Sequence, residues 1–235
     1  MKIFIIIPTY NEKENLKKLV QEIFSLGIEG LNLVVVDDGS PDGTGLLVKE
    51  LAQKYPLFLI ERQKKMGLGS AYRTGFKFAL DRGADLIFEM DADGSHQPKE
   101  IPKFLAAIEQ GAEVVIGSRR IPGGKIIGWN WQRKFYSWAA MGFSRLILGL
   151  KTKDVTSGFR CYRNKVLKSI TLDKIKSQGY AWQEEMVWLC EKMGFKIKEI
   201  PITFIDRRAG HSKLGIKEIF EFFLIILKLK FKSGQ

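Results

Sequence analysis

Two acidic motifs come directly after segments that are expected to form strands. Asp91 and Asp93 stand two positions apart after the run 86–90, and Asp38 comes just after the run 33–36. Carboxylate oxygens are ligands that Mg²⁺ and Mn²⁺ take up together with phosphate oxygens. If the backbone stays extended, side chains two apart point the same way, which places the carboxylates of the first motif about 6–7 Å apart. The first motif therefore favours a metal–phosphate site over a solvated turn or a helix cap.

Other polar segments are ambiguous when taken alone. Asp38 could accept hydrogen bonds from a ribose or a base, but the run 38–43, Asp-Gly-Ser-Pro-Asp-Gly, also forms turns by itself. The segment 67–70, Gly-Leu-Gly-Ser, lacks the Lys-Ser/Thr ending of a P-loop, so a tight turn into a helix is favoured. The two histidines, His96 and His211, are too isolated to predict a zinc site.

The basic residues exceed the acidic ones and are unevenly placed. The formal net charge is +12, from 38 Lys and Arg against 26 Asp and Glu. Residues 119–153 contain eight basic residues and no acidic one, and residues 207–235 contain seven basic and two acidic. This charge implies an anionic partner such as nucleic acid, a membrane surface or a phosphorylated substrate. Arg119 follows the apolar run 114–116, so it is expected at the edge of the acidic motifs, where cations would stabilise a departing diphosphate.

In the first half of the chain, short β-rich runs alternate with helical patterns, which predicts strands joined by helices. The second half is less regular. Strands are expected at residues 3–7, 33–36, 57–60, 86–90, 114–116, 157–162 and 196–200. Helices are expected from Asn11 onward and at residues 44–54, 69–82, 98–109, 131–148 and 184–193, with a Gly-rich loop at 118–130. Such a pattern predicts an α/β fold with a mostly parallel sheet and helices on both faces. Ligands of these sheets bind beyond the carboxyl ends of the strands, where the acidic motifs are expected to converge.

The composition, 45% apolar and 27% charged, excludes a disordered chain. Two units are predicted, a catalytic unit over residues 1–215 and an appendage over residues 216–235. The appendage contains an apolar helix at about 216–231 with a polar stripe, which could lie on a membrane surface or pack on the domain's own core. With two cysteines, no signal peptide and no run of about 20 apolar residues, a cytoplasmic location peripheral to a membrane is expected.

Taken together, the motifs resemble those of family-2 glycosyltransferases of the GT-A fold. The shared early motifs are Pro8-Thr9-Tyr10-Asn11-Glu12, the run 37–44, Gly67-Leu68-Gly69 and Asp91-Ala92-Asp93. The later motifs are similar to the branch that makes dolichyl- or polyprenyl-phosphate mannose, namely Gly117-Ser118-Arg119 and the runs 129–134, 156–160, 206–207 and 212–215. The likeness covers about residues 3–215. It implies metal-assisted transfer of mannose from GDP-mannose to a polyprenyl or dolichyl phosphate, with inversion and with the acceptor phosphate as nucleophile.

The resemblance also implies roles for individual residues. The nucleotide sugar would be bound by Pro8, Tyr10, Glu12, Val36, Asp38, Asp91, Ala92, Asp93, Arg119, Arg207 and Lys213. The catalytic residues would be Asp93, Arg119 and Arg133, and the acceptor phosphate would contact Arg119, Arg133 and Ser137. A Mg²⁺ or Mn²⁺ cofactor would be held by Asp93, with Asp91 as a second candidate ligand.

Departures from the family pattern leave alternatives open. Ser95 stands where some relatives have a metal-binding Gln, so either its hydroxyl or a water molecule would be a third ligand. Many relatives carry transmembrane helices after the catalytic domain, whereas here the C-terminal helix or a membrane-anchoring partner subunit would provide contact with the membrane. A related enzyme using UDP-glucose or another nucleotide sugar is the alternative donor assignment. A non-catalytic RNA-binding module, suggested only by the charge, leaves the acidic motif unexplained, so no nucleic acid partner is expected.

Overall fold

A mostly parallel sheet of seven strands lies at the centre of the computed structural model, which describes residues 1–175, 177, 180–206 and 225–230. In these ranges the strands are β1 (Ile3–Thr9), β2 (Leu31–Asp37), β3 (Leu57–Glu61), β4 (Leu86–Glu89), β5 (Val114–Ser118), β6 (Lys125–Ile127), β7 (Arg160–Arg163), β8 (Ile197–Pro201) and β9 (Thr203–Ile205). The main sheet has the order β3-β2-β1-β4-β7-β5-β8, with β7 antiparallel to both neighbours. The predicted α/β class is confirmed.

Helices cover the two faces of this sheet. In the described ranges they are α1 (Lys13–Phe24), α2 (Thr44–Leu51), α3 (Leu68–Asp81), α4 (Ile101–Glu109), α5 (Trp131–Leu148), α6 (Asn164–Ser169) and α7 (Tyr180–Lys192), with short 3₁₀ helices at Pro98–Glu100 and Leu172–Lys174. Helices α1, α2 and α4 contribute to one apolar core, and helices α3, α6 and α7 contribute to the other. The fold is therefore a three-layer arrangement with a core on each face of the sheet.

Strand β1 shows why its sequence is apolar without interruption. Ile3, Ile5 and Ile7 lie in the core beside α1, and Phe4 and Ile6 lie in the core beside α3. All five are buried. Successive side chains of a strand point to opposite faces, so a strand covered on both sides needs an apolar residue at every position.

Several predicted boundaries are wrong, and three short elements, β6, β9 and α6, were not anticipated. Helix α7, predicted over residues 184–193, begins at Tyr180. The segment 118–130, predicted as a loop, contains β6, which pairs in parallel with β9 in a separate two-stranded sheet. Helix α6 was also not anticipated, and the predicted strand 157–162 begins only at Arg160. Strands β6 and β9 have three residues each and are at most half-buried, so their sequences carry no alternation of apolar and polar residues.

The last described segment packs on the domain. Residues 225–230 are helical, as predicted for that part of the helix 216–231, and the remainder of that helix lies outside the described residues. Ile226 and Leu229 are buried, and Leu229 belongs to the core beside α3 and α7. This favours, for these six residues, packing on the domain's own core over contact with a membrane. Among the described helices none combines the length and apolar character that a membrane span requires.

A close approach between α3 and β1 gives the first prediction. A Cβ added at Gly75 would lie 2.2 Å from Cγ2 of Ile6. We therefore expect Gly75→Ala to lower the free energy of unfolding by about 1–3 kcal/mol, since overpacking forces side chains or backbone to shift. The matched control is Gly142→Ala in α5, where an added Cβ has no neighbour within 4 Å among the described residues. The control should be neutral or stabilising by up to about 1 kcal/mol in urea unfolding, and equal losses in both variants would contradict the steric explanation.

Candidate active site

The parallel strands β1, β2 and β4 end at one edge of the sheet. Thr9 and Asp37, the last residues of β1 and β2, are register partners, and the Thr9 hydroxyl donates a hydrogen bond of 2.8 Å to Asp37 Oδ1. Asp37 Oδ2 accepts the main-chain N–H of Ser40 at 2.9 Å. The buried Asp37 side chain therefore links the turn after β2 to the end of β1 and holds both segments in place at this edge.

Asp38 anchors the loop that leads into α3. Its buried carboxylate forms an ion pair with Arg62 and accepts the main-chain N–H groups of Met66 at 3.0 Å and Gly67 at 3.2 Å. Arg62 in turn donates to the hydroxyl of Ser70 at 2.8 Å. Asp38 thus lies at the predicted edge, and its described contacts hold the Gly67-Leu68-Gly69 segment in place.

The acidic motif lies in a bend rather than in an extended strand. Strand β4 ends at Glu89, and residues 92–94 form the bend. The prediction of an extended backbone from Asp91 to Asp93 is therefore wrong. The argument that this backbone would point the two carboxylates the same way no longer holds. A turn is formed instead, in which Asp93 Oδ1 accepts the main-chain N–H of Ser95 at 3.0 Å.

Asp91 is held by two buried side chains from different parts of the chain. The Tyr72 hydroxyl in α3 donates to Asp91 Oδ1 at 3.3 Å, and the Asp91 main-chain N–H donates to Nδ1 of His96 at 3.1 Å. The His96 ring stacks on Phe159, with centroids 5.1 Å apart. Burial lowers the pKa of His96 despite the opposing effect of Asp91, so the ring is neutral and carries its proton on Nε2.

A buried polar cluster lies beneath this motif. Trp182 donates to Glu89 Oε1 at 3.2 Å, and its ring stacks on Tyr72 with centroids 6.3 Å apart. Burial raises the pKa of Glu89 to about 7 and that of Glu184 to about 8, although the cation of Arg160 opposes both shifts. Through Trp182 the cluster therefore packs against Tyr72. It was not anticipated, because its members are far apart in the sequence.

Arg119 lies beyond the end of β5, where it is paired inside the protein. Its Nε and Nη2 donate to the two carboxylate oxygens of Asp154 at 2.8 and 2.7 Å, and Nη2 also donates to the Thr156 hydroxyl at 2.9 Å. Burial alone would raise the pKa of Asp154, but the adjacent Arg119 cation outweighs it and lowers that pKa. The bidentate contact fixes the guanidinium in one orientation. Asp154 was missed at the sequence level because it lies 35 residues from its partner.

The first turns of α5 present the other predicted acceptor contacts. Asn130 caps this helix by accepting the main-chain N–H of Arg133 at 2.9 Å. Arg133 Nη1 donates to both carboxylate oxygens of Asp206, at 2.9 and 2.8 Å. Ser137, one turn later, accepts a hydrogen bond of 3.0 Å from Nη2 of Arg120. Arg120, which was not among the predicted acceptor contacts, is thus a basic residue that contacts Ser137.

The remaining predicted residues are distributed over the same edge or lie outside the described ranges. Pro8 and Val36 are register partners in β1 and β2, and Val36 is fully buried, as is nearly all of Ala92. The Tyr10 ring lies 4.7 Å from Nζ of Lys65, and Glu12 precedes α1. Arg207, His211 and Lys213 lie outside the described residues.

The acidic motif fits a divalent metal that also binds phosphate. No group of three or more His, Cys, Asp or Glu residues suited to a metal occurs in the described ranges, so a site made of protein ligands alone is not indicated there. A metal bound through one or two carboxylates and substrate phosphates needs no such group. The hydroxyl of Ser95, two residues after Asp93, is buried without a hydrogen-bond partner among the described residues. An oxygen of this kind suits a further contact to a metal or to its water.

Comparison with known proteins gives consistent matches. Residues 4–171 match the family described as Glycosyl transferase family 2. The chain is 44% identical over 219 residues to polyprenol monophosphomannose synthase of Mycolicibacterium smegmatis, covering 92% of this chain and 82% of that protein. It is 45% identical over 216 residues to undecaprenyl-phosphate mannosyltransferase of Micrococcus luteus, covering 92% and 88%.

A solved structure shares the fold. Glucosyl-3-phosphoglycerate synthase of Mycobacterium tuberculosis, in complex with Mn²⁺, UDP and glucosyl-3-phosphoglycerate, aligns with a TM-score of 0.69 at 18% identity. The alignment covers 99% of this chain and 80% of that one.

The contact between Tyr72 and Asp91 gives the second prediction. We expect Tyr72→Phe to weaken Mn²⁺ binding about tenfold, since partners that orient a carboxylate ligand affect metal affinity. The control is Tyr162→Phe, which removes a hydroxyl that is equally buried but contacts Arg160. Calorimetric titration with Mn²⁺ measures the affinity of both variants. An equal loss of Mn²⁺ affinity in the control would indicate that the effect comes from a general loosening of the core.

Proposed function

The chain belongs to glycosyl transferase family 2, and from this membership we propose that it transfers mannose from GDP-mannose to a polyprenyl or dolichyl phosphate. The observation that carries the proposal is 44–45% identity, over nearly the whole chain, to relatives named for mannosyl transfer to polyprenyl phosphates. The geometry supports it, because an acidic motif suited to a metal lies at the carboxyl edge of the sheet and basic residues follow β5 and begin α5.

Asp93 and Asp91 would hold the metal, with the Ser95 hydroxyl or a water molecule as a further ligand. When bound, Mg²⁺ or Mn²⁺ would neutralise the negative charge that develops on the departing diphosphate. The solved relative with the same fold was crystallised with Mn²⁺, which supports a divalent ion of this kind. Tyr72 and His96 hold Asp91 in place from the buried side, so the carboxylate needs little reorganisation when the donor binds.

The acceptor can act as nucleophile without a general base. The second pKa of a phosphate monoester is near 6, so the acceptor is largely dianionic at neutral pH. One of its oxygens forms a bond to the anomeric carbon of mannose while the bond from that carbon to the diphosphate breaks, which inverts the configuration and releases GDP. Arg133 and Ser137 on α5, with Arg119 fixed by Asp154, would orient the acceptor, so catalysis rests on positioning and charge stabilisation.

The nucleotide would lie on the ends of β1 and β2. Pro8, Tyr10, Glu12, Val36 and Asp38 would surround the guanosine, while Arg207 and Lys213 would contact phosphates. A relative using UDP-glucose or another nucleotide sugar would place its base on the same strand ends. Thermal-shift measurements with GDP and with UDP, each with Mn²⁺, distinguish the two, and a larger stabilisation by UDP would contradict the guanosine assignment.

Helix α5 offers the surface that would face the lipid. Trp131, Phe135 and Trp138 are spaced for one helix face, and their exposed fractions are 74%, 54% and 64%. Exposed aromatic clusters of this kind mark interaction sites, and Trp is enriched where protein meets the membrane interface. The proposed acceptor contacts Arg133 and Ser137 lie on the same helix. We therefore place the enzyme peripherally on a membrane, on its cytoplasmic face, through α5, with or without an anchoring partner subunit.

The third prediction tests the reaction and the division of roles. Incubation with radiolabelled GDP-mannose, polyprenyl phosphate and Mn²⁺ should transfer label into the organic phase. Asp93→Ala and Arg133→Ala should each lower the rate by about 10²–10³. Calorimetry with GDP and Mn²⁺ should show weaker binding only for Asp93→Ala, because Arg133 is assigned to the acceptor.

Lys134→Ala is the matched control for Arg133→Ala, since it removes an exposed cation from the neighbouring position of the same helix. It should retain nearly full activity. Equal losses of GDP affinity in Asp93→Ala and Arg133→Ala would contradict the division of roles, and label transferred from UDP-glucose alone would contradict the mannosyl assignment.

The fourth prediction tests the membrane face. The double variant Trp131→Ser/Phe135→Ser should lower partitioning into zwitterionic phosphatidylcholine vesicles at least about tenfold, since it removes two large apolar groups from the contact. Leu46→Ser in α2 is the control, because Leu46 is similarly exposed, at 67%, on a different helix. Vesicle flotation of the full chain measures both, and unchanged flotation of the double variant would exclude α5 as the docking surface.

A further inference from the structure

A small cavity lies beside α5 and is lined mainly by cations and apolar groups. Its volume is about 240 Å³, and its walls are formed by Arg120, Trp138, Met141, Gly142, Arg145 and Lys153. Three of these six residues are basic and none is acidic. The cavity is smaller than the roughly 300–1,000 Å³ of sites that enclose drug-sized ligands. It is therefore suited to a charged headgroup rather than to a whole nucleotide sugar.

Some N–H groups of the basic side chains in this cavity have no hydrogen-bond acceptor among the described residues. The Nε atoms of Arg120 and Arg145 are buried and have no hydrogen-bond partner among them. Burial lowers the pKa of Arg120, an effect opposed by the charge of Asp154 and reinforced by that of Arg119. Asp154 is already paired with Arg119 through both carboxylate oxygens. Grouped basic side chains in this state favour an anion that accepts several hydrogen bonds.

The cavity continues the exposed aromatic face of α5. Trp131, Phe135, Trp138, Gly142 and Arg145 follow one another at intervals of three or four residues, so they lie along one face of the helix. The last three line the cavity. A membrane lipid beside the aromatic part of this face would therefore have its headgroup level with the cations.

We propose that the cavity formed by Arg120, Arg145 and Lys153 binds the phosphate group of an anionic membrane phospholipid, in addition to the acceptor lipid. The proposal rests on the proposed function only in taking α5 as the membrane-facing helix. Bidentate guanidinium groups suit a phosphate diester, and the indole of Trp138 would lie against the glycerol or the upper acyl chain. The bound lipid would hold α5, and with it Arg133 and Ser137, at the membrane surface.

The test uses the full chain and soluble dihexanoyl phosphatidylglycerol below its micelle concentration, so that surface potential does not contribute. Calorimetry should show saturable binding of this lipid and none of dihexanoyl phosphatidylcholine. The double variant Arg145→Gln/Lys153→Gln should weaken binding at least about tenfold, since two charge-assisted contacts are removed. Lys134→Gln, which removes one cation from α5 outside the cavity, should change the affinity less than about twofold. Unfolding curves of all variants check that the fold is kept.

Several results would overturn the assignment. Equal binding of inorganic phosphate would indicate a site for free anions rather than for a lipid. An equal loss in Lys134→Gln would indicate non-specific attraction. A raised KM for polyprenyl phosphate in Arg145→Gln/Lys153→Gln, measured in detergent without phospholipid, would assign the cavity to the acceptor. Loss of phosphatidylglycerol binding with an unchanged acceptor KM supports the proposal, whereas lipid binding by a chain that transfers no mannose would contradict the proposed function and leave this site standing.

Discussion

The parallel pairing of β1 with β2 on one side and β4 on the other determines where the acidic groups of the site lie. Thr9 and Asp37 are brought level by that register, and the Asp91 motif follows the end of β4 at the same edge. Because these strands are covered on both faces, a one-residue shift in their pairing would exchange side chains between the two cores and separate Thr9 from Asp37. The site is thus built at the end of strands that are buried on both faces.

Around this edge, charged side chains are buried in fixed pairs. Asp38 is paired with Arg62, and Arg119 is paired with Asp154. Removing charges from water is costly, and only well-oriented partners offset the cost. A guanidinium held by a carboxylate keeps one orientation, so these pairs belong to the framework and present a ligand with a fixed arrangement of charge. The basic groups at the cavity beside α5 have fewer described partners, which is why that region is the better candidate for an anion beyond the substrates.

The sequence predicted the fold well where burial imposes a pattern. Apolar runs located the strands β1 to β5, and α5 was predicted over residues 131–148, as observed. Features that depend on contacts between distant residues were not predictable in this way. The strands β6 and β9 are too short and too exposed to leave a pattern, and the bend at residues 92–94 depends on a turn rather than on periodicity. His96, set aside as isolated, packs on Phe159 and contacts Asp91 through a fold that only the structure reveals.

The membrane assignment shows how exposure changes an inference made from hydropathy. The C-terminal segment has the more apolar sequence, but in its described part Ile226 is buried and Leu229 belongs to the core beside α3 and α7. Helix α5 is less apolar, yet it leaves Trp131 and Trp138 in solvent. Hydropathy reports how much apolar surface a segment has, whereas docking depends on the surface that folding leaves uncovered. The excess positive charge of residues 119–153 lies on α5 and on the segments that precede and follow it in the chain, so electrostatic attraction would add to apolar contact at an anionic membrane.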